Sequence, residues 1–222
     1  MRHAASITAA FLLAFALPLS AETKKAIGAI ELARNAAECS QVEAGGKKYP
    51  GFSVTKVGVV SDGLRVTVSA TLKNRPAPIG TTVLDLYFDT DNNPKTGVAA
   101  GNPESPGWEF QGDVESCVRY EDGAACAGGS NEPVAGYFGA GTLDRYKGKS
   151  WMEREKVVDP MGMFERKKAV QTPIVGTVVQ ATFDYADLKV KPGQTIRMRI
   201  HEECGSMAAD SGYFPEVQLT LK

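Results

Sequence analysis

The chain has 222 residues, with 25 Lys and Arg against 26 Asp and Glu and a formal net charge of −1. That balance, with no basic block anywhere, excludes the electrostatic footprint of a nucleic-acid binder or of a protein held on an anionic membrane surface. No C-x-x-C pair occurs among the four cysteines and there are only two histidines, so a zinc centre is a poor fit.

The N-terminus reads "MRHAASITAAFLLAFALPLSAETKK": Arg2 and His3, an apolar run from Ala4 to Leu19, then the small residues Ser20 and Ala21. The run is short for a bilayer span, and the pattern predicts a secretory signal over 1–21, cut near Ala21–Glu22; a retained anchor is the alternative. No cysteine at that point offers a lipid anchor, and no second apolar run is long enough to cross a membrane. The expectation is an exported chain, periplasmic or extracellular, with 22–222 as a single domain able to bury its own core.

The next segment, "KKAIGAIELARNAAE", predicts a short N-terminal helix, weakened by Gly28 and Asn35. After it the period is two. "VGVVSDG" and "LRVTVSATL" form a hairpin about Asp62-Gly63, with Leu64, Val66, Val68, Ala70 and Leu72 on one face. "TVLDLYFD" sets Leu84, Leu86 and Phe88 against Asp85, Tyr87 and Asp89, and "GWEFQGDVESC" sets Trp108, Phe110 and Val114 against Glu109, Gln111, Asp113 and Glu115. The Gly-rich stretch 123–150 predicts a long central loop. "GTVVQATFDY", "QTIRMRIHEE" and "EVQLTLK" resume the alternation. Many short strands between Gly, Pro and Asn-Asp turns define an all-β class, a two-sheet antiparallel β-sandwich.

An even number of cysteines in an exported chain points to disulfides, and four allow three connectivities. Cys117 and Cys126 flank "VRYEDGAA", whose Asp122-Gly123 turn lets them face each other across two short strands; Cys39 is then left for Cys204. A bridge closing so long a loop is worth roughly 4–5 kcal/mol in the chain-entropy model.

The most distinctive stretch is "YFDTDNNPKTG", Tyr87 to Gly97. Asp89, Asp91 and Asn93 recur at every second position where a strand ends, so a turning backbone can aim their oxygens at one centre. An all-oxygen set suits a hard cation, and calcium better than magnesium. The Lys95 carbonyl or the Thr96 oxygens extend the set, Pro94 stiffens the loop and Gly97 permits a tight exit. This is no EF-hand, because Pro94 stands at the sixth loop position and Ala100 at the twelfth. A ligand from the next strand is needed: Glu109 first, Asp113 second. A polar turn held by Asx hydrogen bonds is the alternative.

"YFDTDNNPKTG" followed by "GWEFQGDVE" resembles a motif of bacterial exported β-sandwiches, the family-nine carbohydrate-binding modules and the related DOMON-like domains. The likeness covers roughly Leu84 to Glu115 and extends loosely to "YADLKVKPGQTIRMRIHEE". It implies a jelly-roll-like sandwich with structural calcium, and a glycan as ligand.

Catalytic signatures are sparse. With His3 in the signal, His201 is the one histidine of the processed chain; no Gly-x-Ser-x-Gly elbow accompanies it, and Met198 points away from it, against haem ligation. Asp85 and Tyr87 on one strand, and Arg197, Arg199 and His201 on another, offer stacking and hydrogen bonds to a sugar or a carboxylate should the strands be neighbours. Three readings stand: a non-catalytic binding module with calcium and a glycan or cell-envelope ligand, a hydrolase using carboxylates such as Glu109 and Asp113 on the polar face, or a structural domain with a protein partner.

Overall fold

Period-two alternation with one buried face builds most of this molecule. The computed structural model describes residues 23–34, 42–44, 47–49, 53–74, 81–98, 107–119, 136–146, 164–173, 176–202 and 212–222. The expected signal segment, Cys39, Cys126 and Cys204 lie outside the described residues. Strands β1 (Lys24–Ile27) and β2 (Ala29–Ala33) come first, then a small hairpin of β3 (Val42–Ala44) and β4 (Lys47–Tyr49). β5 (Val54–Ser61), β6 (Arg65–Leu72), β7 (Thr81–Asp89), β8 (Phe110–Arg119), β9 (Gly136–Tyr146) and β10 (Phe164–Pro173) follow. β11 (Val178–Asp184), the one-turn helix α1 (Tyr185–Leu188), β12 (Thr195–Glu202), β13 (Gly212–Tyr213) and β14 (Val217–Thr220) close the chain.

The larger sheet runs β1-β14-β12-β7-β8-β9-β10, with β13 also on β12; the smaller runs β11-β6-β5-β2. All the pairings are antiparallel except β1 with β14. The all-β sandwich expected from the sequence is thus observed. Its core lies between the sheets: Leu84, Leu86 and Phe88 of β7 and Ile196, Met198 and Ile200 of β12 are fully buried, facing Val66 and Val68 of β6 and Val179 and Ala181 of β11. Phe88 meets Phe183 edge to face across the layers, centroids 5.3 Å apart, an arrangement ring quadrupoles favour.

Lys24–Ala33 forms two strands where the short N-terminal helix was expected, residues 35–38 of that segment lie outside the described residues, and the helix among the described residues is α1. Gly28 explains the difference. At φ 73° it lets the chain leave one sheet and enter the other, β1 lying along β14 and β2 along β5. Its N–H donates to Thr220 O and its carbonyl accepts from Ser61 N. Two waiting sheet edges outweigh a weak helical propensity.

The stretch 123–150 is not simply a loop either. β9 occupies 136–146 and lies between β8 and β10. Its register sets Phe138, not Cys126, opposite Cys117. The Asp62-Gly63 hairpin is as expected, except that Leu64 sits in the turn, 74% exposed, instead of on the buried face. No helix among the described residues is long and apolar enough to cross a membrane.

Candidate metal centre

β7 delivers Asp89 to the rim of the larger sheet, where the chain turns through Thr90–Gly97 and returns by an isolated bridge between Val98 and Trp108. The turn is tight for stated reasons. Asn92 takes φ 54°, and Gly97 takes φ 59° at a point where a Cβ would collide with the Trp108 carbonyl. A side chain at Gly107 would strike Pro94 and the Asn93 carbonyl. These backbone contacts draw Glu109, just before β8, against the loop, its N–H donating to Phe88 O at 2.9 Å.

The result is a group of three carboxylates, Asp89, Asp91 and Glu109, whose ligand oxygens all lie within 4.8 Å of one another. Asp89 is 3% exposed. Its Oδ1 accepts the Asn93 N–H at 3.0 Å and its Oδ2 lies 2.6 Å from Arg197 Nη2. Glu109 Oε2 accepts from Thr90 N at 2.7 Å and Thr90 Oγ1 at 3.0 Å, whereas its Oε1 is buried with no hydrogen-bond partner. Asp91 is exposed, with its Oδ1 accepting from Asn93 N at 2.9 Å. Thr96 Oγ1 lies 2.9 and 3.0 Å from the two Asp91 oxygens and 2.8 Å from Asn93 O; its single proton serves one of them.

Burial pushes the Asp89 carboxyl above its ordinary range, against the pull of Arg197 and the Asn93 N–H. Burial likewise pushes Glu109 up, opposed by the Thr90 bonds and assisted by the charges of Asp91 and Asp89. A folded pKa above the unfolded value means that, in a cation-free chain, these groups cost stability as pH rises out of the carboxylate range. A divalent cation removes that cost. Three carboxylates and one guanidinium leave two negative charges, matching such an ion, and the unpartnered Glu109 oxygen offers it a ligand. The cluster can hold a metal ion.

Of the residues expected to supply ligands, Asp89, Asp91 and Glu109 come together. Asn93 Oδ1 is engaged by Lys95 N at 3.1 Å, and Lys95 is exposed. Both Asx bonds of the alternative reading are therefore present; they orient the loop without using every carboxylate lone pair. Asp113 stays away. It shares the face of Glu109, but four extended residues carry it about 13 Å along the strand, opposite Asp85. The sequence reading missed two partners, Thr90 and Arg197. Thr90 adjoins Asp89 and was within reach of inspection; Arg197 needs the β12–β7 register to be found.

The five expected platform residues do share one face, because β12 and β7 are neighbours. Arg197 pairs with Asp89, Arg199 with Tyr87 and His201 with Asp85. His201 Nδ1 lies 3.5 Å from Asp85 Oδ2, and its ring is 4.6 Å from that of Tyr213. Tyr87 packs on the buried Trp108 with centroids 5.2 Å apart. No protein-family model, curated protein or solved structure matches the chain.

Proposed function

We propose that this is an exported calcium-binding β-sandwich that serves as a non-catalytic binding module, with a glycan or cell-envelope component as its ligand. The observation that carries the calcium half is the convergence of Asp89, Asp91 and Glu109 with a buried, unpartnered Glu109 oxygen among them. Oxygen donors from an adaptable loop favour calcium over the stricter octahedron of magnesium. The export half rests on the N-terminal sequence, and the glycan half on the likeness of the loop motif together with the polar face of β12 and β7.

Thermal unfolding in excess chelator, then with calcium or magnesium added, tests the calcium half. At about a hundred times the dissociation constant calcium adds roughly 2.7 kcal/mol, a rise of roughly 5–10 °C for a domain of this size. Asp91→Ala should abolish a calcium-selective rise. No rise in the parent chain would reduce the stretch to a polar turn.

A hydrolase is the second reading, favoured by one observation: Asp85 and Asp113 are direct register partners on the face that carries His201. The pair first expected, Glu109 with Asp113, serves it poorly, since Glu109 turns to the cation cluster. Turnover of a glycan substrate that Asp113→Asn abolishes would move this reading to first place.

A further inference from the structure

β12 presents three cationic or potentially cationic side chains on the polar face of the larger sheet, and two of them have carboxylate partners. Arg197 meets Asp89 at 2.6 Å and Glu216 at 4.0 Å; His201 meets Asp85 at 3.5 Å. Arg199, between them, differs. Among the described residues no carboxylate lies within ion-pair distance of it. Its guanidinium carbon sits 4.8 Å from the centroid of the Tyr213 ring, and its Nε is buried with no hydrogen-bond partner.

A buried donor of a charged group without an acceptor costs free energy, so its persistence calls for an explanation. The ring of Tyr213 supports the guanidinium, whose two Nη groups form a planar pair of donors that matches a carboxylate. The register places Tyr87 beside Arg199 and Gln111 beyond it, a row of hydrogen-bonding side chains leading away from the charge. The rings of Tyr213 and His201 border it on the other side.

Resting on the binding-module reading, we propose that this face takes an acidic sugar, with the ligand's carboxylate on Arg199 and its hydroxyls towards Tyr87 and Gln111. Arg199 sets the preference for an acidic over a neutral sugar. Arg197, committed to the carboxylate cluster, does not take part.

The test is the arginine Nε–H spectrum of the chain in calcium-containing buffer, titrated with glucuronate, methyl glucoside and acetate. The Arg199 resonance is assigned by its loss in Arg199→Lys. It should shift saturably with glucuronate, more weakly with acetate and not with methyl glucoside, and the glucuronate affinity should exceed that for the glucoside at least about tenfold, as expected of one charge-assisted contact. Arg199→Gln should lose that advantage while keeping the thermal midpoint and calcium response that report a folded chain. Equal response to acetate and glucuronate would overturn the sugar assignment. Backbone shifts over 85–87 and 197–201 with the glucoside, and a still Arg199 resonance, would overturn the acidic preference yet leave the binding module intact. Silence towards all three ligands would overturn this proposal, and a glycan array run on the same sample then decides the module reading separately.

Discussion

At one end of β12 the Glu202 carboxylate is fully buried against Arg34 and accepts the Val54 N–H at 2.6 Å. At the other end Arg197 meets Asp89 inside a group of three carboxylates. The first region carries its own counter-ion: Arg34 also lies over the Phe214 ring, 4.1 Å from its centroid, and donates to Gly212 O. Burial lowers the pKa of that guanidinium from its usual height, and the pairing offsets the loss of water. The second region has more acidic groups than cations. The same residue types thus close one end of the sandwich and leave the other suited to an ion from outside. An acidic group buried with its counter-ion holds a fold together, whereas one buried in excess invites a ligand.

Breaking each end should expose the difference. The largest effect is expected from Arg34→Met, which leaves Glu202 buried without its cation. A cost of about 3–5 kcal/mol corresponds to a midpoint lower by roughly 6–20 °C, and the loss should be the same in chelator and in calcium. Arg197→Met should cost less, about 2–3 kcal/mol without calcium, because Asp89 keeps the Asn93 N–H and is already drawn towards protonation. Calcium should restore most of that loss, since the ion replaces the missing guanidinium. Equal calcium rescue of both variants, read by thermal melts, would erase the distinction between the two ends.

Gly97→Ala sharpens the comparison through the backbone. A side chain at φ 59° against the Trp108 carbonyl strains the loop by about 1–3 kcal/mol. It should weaken calcium binding as well, because the same contact sets Glu109. The smallest expected effect is that of Asp62→Ala. The Asp62 carboxylate accepts from Leu64 N at 3.0 Å and Arg65 N at 2.8 Å, and those bonds hold its pKa below the ordinary value. Its stabilisation is therefore fully present above the unfolded value of 3.8 and is lost as pH falls through the lower folded one. The variant should melt slightly below the parent near neutral pH and level with it in strong acid.

Much of the fold was legible because one-sided burial leaves a period of two. β6, β12 and β14 put the expected residues inward, and the β5–β6 turn announced itself by Asp62-Gly63. The N-terminal strands were not legible, since a chain that adds to two edges takes its conformation from partners distant in sequence. β9 was hidden for a related reason: "GYFGAGTLDRY" has little alternation of its own, and β8 and β10 supply its hydrogen bonds. The cation cluster could be read as far as it is local. Asp89 ends β7, Asp91 follows it in the loop and Glu109 immediately precedes β8, but Arg197 arrives only through register. Asp113 was misjudged because sharing a strand face fixes direction and not height.

Direct calcium binding is the measurement that bears most closely on this account. Equilibrium dialysis of the chelator-treated chain, with metal content determined by elemental analysis, should find one calcium per chain held in excess magnesium. That calcium should be lost in Asp91→Ala and retained in Arg34→Met wherever that variant is folded. Calcium retained by Asp91→Ala, or no calcium held by the parent chain, would contradict the assignment of the Asp89–Asp91–Glu109 cluster as a metal centre.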